Sequence, residues 1–155
     1  MCLIVERKKE GNRITATEDI TCYKVLKVMP SGLYFTPYME TRVYPSELTG
    51  EYTFDAHGAY FSNEAYDFKN DNEIHNGFIH TFCYYSDAYG LAKTLSEGSY
   101  INEYAVWKCI IPKGTEFYWG YDKVTFKRAY AANKIKFTKE IIKTQNYVPK
   151  IVKSL

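Results

Sequence analysis

Ile20-Thr-Cys-Tyr-Lys-Val-Leu-Lys-Val-Met29 is the stretch that decides the fold class. Ile20, Cys22, Val25 and Val28 are broken by Thr21, Lys24 and Lys27, and β-branched residues recur, so the segment predicts the clearest β-strand of the chain. Pro30-Ser-Gly32 ends it with turn chemistry. Before it, Cys2–Glu6 predicts a short apolar strand and Glu10-Gly-Asn-Arg13 a polar turn. After it, Leu33–Thr36, Thr41–Tyr44 and Gly50–Phe54 predict short strands, and Pro37 and Pro45 place them at sheet edges. Residues 62–76, with Lys69-Asn-Asp-Asn-Glu73, have the composition of an exposed loop.

Phe78–Tyr85 reads as the next strand, and it runs into a helix near 86–96. Ser86 offers an N-cap hydroxyl and Asp87 an acid at the positive end of the dipole. Ala88, Leu91, Ala92 and Leu95 make one apolar stripe, and Gly98 marks the stop. Glu103–Ile111 is a strong strand, Pro112-Lys-Gly114 a turn, and Glu116–Gly120 a strand or bulge. Arg128–Asn133 reads as a helical turn, and Lys134–Ile142 as a strand with one wet face. The expected fold is α+β: one β-rich domain over residues 1–155, a mainly antiparallel or mixed sheet of about seven to nine short strands, and one or two short helices.

A chain of 155 residues buries roughly two thirds of its unfolded surface, enough to fold without disulfides or metal. Its 16 tyrosines exceed what one core absorbs; a Tyr-rich sheet face, an interface and a ligand wall all remain open as their place. The net charge of +2 hides an asymmetry. Residues 103–155 hold eleven Lys/Arg against four Asp/Glu, and residues 40–102 hold three against ten. The basic end suits an anionic ligand, or it neutralises the acidic middle within the fold. The lysines form no run, and no long nucleic acid is expected as a partner.

Cys2, Cys22, Cys83 and Cys109 include no CxxC pair and each lies in an apolar stretch, so buried free thiols in a reducing cytoplasm are expected. The charged N-terminus does not read as a signal peptide or membrane span. No nucleotide-loop, hydrolase or zinc-protease motif occurs, so no catalytic residue is assigned and no cofactor is expected. The three histidines, 57, 75 and 80, make no metal site, because the odd offset of His75 and His80 along a strand sends them to opposite faces.

Groups that suit a nucleotide do occur. Asn76-Gly-Phe-Ile-His-Thr-Phe-Cys-Tyr-Tyr-Ser86 carries His80, Tyr84 and Tyr85, with Thr81 facing away from His80 on the pleat. Pro112-Lys-Gly-Thr115 sets Lys113 in a turn whose free N–H groups favour an anion. Phe117, Tyr118, Trp119 and Tyr121 follow as an aromatic strip, with Phe117 and Trp119 expected on one face and Tyr118 on the other. Tyr84, Tyr85 and Tyr118 are candidate stacking residues; His80, Lys113 and Arg128 are candidate phosphate or ribose ligands.

The opening Met-Cys-Leu, Ile14-Thr-Ala-Thr-Glu-Asp-Ile-Thr-Cys-Tyr-Lys-Val-Leu26, Gly77-Phe-Ile-His-Thr-Phe82, Val106-Trp-Lys-Cys-Ile-Ile-Pro-Lys-Gly-Thr115 and Tyr130-Ala-Ala-Asn-Lys-Ile-Lys136 together resemble a family of small proteins of bacteriophages, prophages and gut bacteria. The resemblance spans nearly the whole chain. It implies a phage-associated context and assigns no activity. The expectation is a cytoplasmic, homo-oligomeric protein that sequesters a nucleotide-like immune signal, either a cyclic dinucleotide or an ADP-ribose derivative. The alternatives are an enzyme that degrades such a signal, with His80 as acid or base, and an interaction module that inhibits a host protein.

Overall fold

The computed structural model describes residues 3–5, 13–38, 41–55, 73–74 and 78–143. Cys2, His57, His75, the turn at 10–12 and most of the loop at 62–76 lie outside the described residues.

Twelve strands and two helices stand among the described residues: β1 (Leu3–Ile4), β2 (Ile14–Thr15), β3 (Ile20–Val28), β4 (Tyr34–Phe35), β5 (Arg42–Val43), α1 (Pro45–Leu48), β6 (Phe54–Asp55), β7 (Glu73–Ile74), β8 (Ile79–Phe82), α2 (Tyr85–Glu97), β9 (Glu103–Ile111), β10 (Glu116–Asp122), β11 (Arg128–Ala132) and β12 (Lys134–Lys143). They form a curled antiparallel sheet in the order β6-β12-β9-β3-β8-β11-β10-β1-β7, with β2 on β10, β4 on β3 and β5 on β4. The α+β, β-rich expectation therefore holds.

Three local readings are corrected. Residues 128–132 are a strand, not a helical turn: three alanines have good helix propensity, but β11 lies between β10 and β8 and is paired along both edges, and that outweighs propensity. The long helix begins at Tyr85 with Tyr84 as N-cap, and no side chain caps it; Ser86 is inside the first turn, and Asp87 keeps its place at the dipole's positive end. Pro45 starts a helix instead of bordering a strand, and the Glu47 carboxylate accepts the Tyr44 N–H at 2.8 Å.

Cross-strand partners share a face of a sheet, so the registers sort the side chains into two sets. On one face, Val25, Phe82 and Val106 pack against Ala88 and Ala92 of α2, with Tyr23, Tyr85 and Tyr104 at the margin. The same face continues onto Tyr118, Ala129 and Ala131, which cluster with Leu3, Val5 and Phe78. We call it the helix face. The other, the core face, carries the largest apolar cluster, with Cys22, Leu26, Trp107, Cys109, Phe117 and Phe137 among its members.

Lys24 stands between Cys22 and Leu26 on the core face, opposite Trp107, and is 6% exposed. In the sequence it stands as a polar break between apolar positions, yet in the fold it is buried with them. Its neighbours at even offsets (Ile20, Cys22 and Leu26) are apolar, and that period is what draws it inside.

Gly120 fills a particular steric need. A Cβ at that position would lie 2.0 Å from the Ile4 carbonyl oxygen, so the chain leaving β1 crosses β10 where there is no side chain.

Candidate functional site

β3 borrows two neighbours along one edge. Tyr23 pairs with Phe82 of β8, whereas Lys27 and Val28 pair with Phe35 and Tyr34 of β4. Between those pairings, at residues 24–26, the sheet forks. The Lys24 ammonium reaches into the fork and donates to the His80 carbonyl at 2.8 Å. That bond satisfies a buried backbone acceptor which the strand ladder leaves over.

Around the fork, the core face carries Thr81 on β8, Lys24 on β3 and Trp107 on β9 in one cross-strand row. The row extends through Thr81 to Tyr130 on β11 and Trp119 on β10. Burial pulls the Lys24 ammonium from 10.5 down to about 8, against the opposing influence of the Cys109 and Cys22 thiols. Burial pushes Cys22 up to about 12 and Cys109 well above its ordinary value. These thiols are held protonated and are poor nucleophiles.

One residue pair further along β10 and β11, Arg128 lies over two rings, 4.4 Å from the Trp119 centroid and 4.0 Å from that of Tyr121. Register explains the arrangement: Tyr121 is the direct partner of Arg128, and Trp119 is its diagonal neighbour on the same face. Trp119 remains 45% exposed, so part of its indole faces solvent. Cys83, half-buried, sits against this group. Burial raises its thiol, while Tyr130, Trp119 and Arg128 pull it back and Asp87 adds to the rise. Tyr130 is raised in turn by burial first and by Cys83 second. Tyr84, at the start of α2, is 60% exposed and lies near Tyr130.

The six residues singled out in the sequence divide among three places. Arg128 and Tyr84 come together at this aromatic rim of the core face. His80 and Tyr118 are buried on the helix face, on strands β8 and β10 with Ala131 of β11 between them. Tyr118 is committed there: its hydroxyl accepts from Arg13 Nε at 3.1 Å, and its ring packs edge-on to Phe78. Tyr85 packs edge-on to Tyr23 beneath α2. Lys113 is exposed in the β9–β10 turn, where its N–H donates to the Asp19 carboxylate at 2.9 Å. Asp19 occupies the anion position that the turn had suggested. Lys113 also lies beyond Glu116, the far end of β10, which is five residues or roughly 17 Å from Arg128's partner Tyr121 at about 3.4 Å per residue.

The pleat does separate His80 from Thr81, and Phe117 and Trp119 from Tyr118, as expected. Lys24 and Trp107 join the site although sequence reasoning did not select them, and Tyr121 comes from the aromatic strip already named. Even spacing from Ile20, Cys22 and Leu26 was the available signal for Lys24.

Among the described residues, no three His, Cys, Asp or Glu side chains gather as a metal site requires. No described helix is long and apolar enough to cross a membrane. Comparison with protein-family models, with curated proteins and with solved structures finds no match.

Proposed function

We propose that the protein binds and sequesters a nucleotide-like ligand, of the cyclic-dinucleotide or ADP-ribose kind, and acts in a phage-type setting against a host immune signal. The observation that carries the reading is Arg128 stacked over Trp119 and Tyr121 at a partly exposed edge of the core face. A half-exposed indole offers a base a stacking surface, and a guanidinium beside it offers phosphate a bidentate partner. Tyr84 adds a second exposed ring close by. A second copy of the chain is part of the proposal, since Tyr84, Tyr100 and Phe126 are each more than half exposed.

Calorimetry with a panel of cyclic dinucleotides and ADP-ribose derivatives tests it. The expected result is saturable binding by the native chain and a loss of roughly tenfold or more in Arg128→Met, the size of a charge-assisted hydrogen bond. Heat denaturation of the complex should release the ligand intact, whereas a degrading enzyme would release product. Silence across the whole panel removes the proposal.

A further inference from the structure

A charge removed from water is normally paired with an opposite charge. Lys24 is an exception. Its ammonium is buried, and its one hydrogen-bond partner among the described residues is a neutral carbonyl, that of His80. On either side, in the same cross-strand row, two further donors are unmatched. Thr81 Oγ1 is fully buried; it lies beside the Cys22 thiol but closes no hydrogen bond with it. Trp107 Nε1 is buried in a residue 1% exposed and has no acceptor among the described residues. Buried polar groups are nearly always satisfied, so two unmatched in one row are a sign of an absent partner.

The three groups share a chemistry. An ammonium and an indole N–H only donate, and a threonine hydroxyl donates to any acceptor placed before it. A water molecule would satisfy the hydroxyl but would leave the ammonium's charge uncompensated. An anion answers all three. The anion belongs at the fork between β8 and β4, where, among the described residues, no strand pairs with residues 25–26 of β3 along that edge.

We propose that Lys24, Thr81 and Trp107 form an internal oxyanion site that takes a phosphoryl group. The group is either free phosphate or the phosphate of the nucleotide-like ligand inferred above, and only that second source rests on the earlier reading. Arg128 lies two strands and two residues from Lys24, roughly 12 Å at strand spacings of about 4.8 Å and rises of about 3.4 Å, so one nucleotide can reach from the rim to the fork.

The chain has two tryptophans, and Trp119→Phe leaves Trp107 as the sole indole reporter. Titrating that variant with inorganic phosphate at constant ionic strength should give a saturable change in Trp107 emission and a raised Tm. Chloride should give neither. Adding Lys24→Met should weaken the phosphate response at least tenfold while circular dichroism shows an intact sheet. No saturable response, an equal response to chloride, or an undiminished response in the Lys24→Met chain would each overturn the site. Nucleotides then distinguish the sources in the native chain. Competition between nucleotide and phosphate, absent with the corresponding nucleoside, assigns the site to the ligand's phosphate. Phosphate binding with no nucleotide binding keeps the oxyanion site and removes the proposed function. Nucleotide binding unchanged by Lys24→Met keeps the proposed function and leaves free phosphate as the source for the oxyanion site.

Discussion

The two faces of this sheet use the same kinds of residue to different ends. On the helix face, three polar contacts are closed within the chain. Tyr118 takes the Arg13 guanidine, Tyr85 meets Tyr23, and the Ser96 hydroxyl accepts the Tyr104 N–H at 3.1 Å. On the core face, Lys24 finds one neutral carbonyl, and Thr81 Oγ1 and Trp107 Nε1 find no partner among the described residues. The helix face leaves a carboxylate oxygen of Asp122 unmatched, an acceptor, whereas the row around Lys24 on the core face leaves donors, and donors are what an anion can satisfy. Strand β8 makes the contrast within two residues, since His80 belongs to one face and Thr81 to the other.

The largest test of the contrast compares truncations. Trp107→Ala removes a fully buried indole and should cost about 3–5 kcal/mol, whereas Tyr118→Phe on the helix face removes one partly exposed hydrogen bond and should cost about 1 kcal/mol. Urea unfolding of both variants measures the gap, and equal losses would mean that Trp107 carries no special share of the core.

A smaller effect concerns pH. In phosphate-free buffer with reductant, native Lys24 loses its proton near pH 8 while the unfolded chain keeps it to about 10.5. The unfolded state therefore binds more protons in that window, and stability should rise with pH from 8, at no more than about 1.4 kcal/mol per unit. Above pH 9 the unfolded cysteines ionise, while buried Cys22 stays protonated to about 12 and Cys109 also stays protonated, so stability should fall again. Lys24→Met should abolish the rise and keep the fall. A rise that survives in this variant would show that Lys24 is not its source.

The smallest concerns the tip of the β10–β11 hairpin. Phe126 adopts φ of +59° and is 75% exposed, a left-handed conformation in which a bulky side chain is strained. Phe126→Gly should leave Tm unchanged or raise it, by an equivalent of up to about 1 kcal/mol. A clear loss of Tm would show that the ring is packed against something.

Sequence alone reads the central strands well. Glu103–Ile111 matches β9 end to end, and Ile20–Met29 exceeds β3 by one residue, because long runs of β-branched and aromatic residues leave no helical alternative. It fails where neighbours decide the outcome. Ala129-Tyr-Ala-Ala132 has no strand signal of its own and becomes one only when held between β10 and β8. The site was legible in part. Arg128 and Tyr84 were selected, but their grouping with Trp119 depends on the register of β10 against β11, which no local pattern contains. Lys24 escaped notice because lysine in a strand is read as solvent-facing, and only its even spacing from apolar residues argued otherwise.

The crossing at Gly120 has a consequence for the order of assembly. β1 docks on a strand more than a hundred residues away in the chain, and it can do so only after β10 exists to receive it. Closing a loop of that length is entropically late, and little is gained until its last contacts form. Strand β1, made before the other described strands, is therefore expected to join the sheet late. Native-state hydrogen exchange should find the amides of Leu3 and Ile4 opening before those of β3 and β9, so that the sheet loosens first from its earliest-synthesised end.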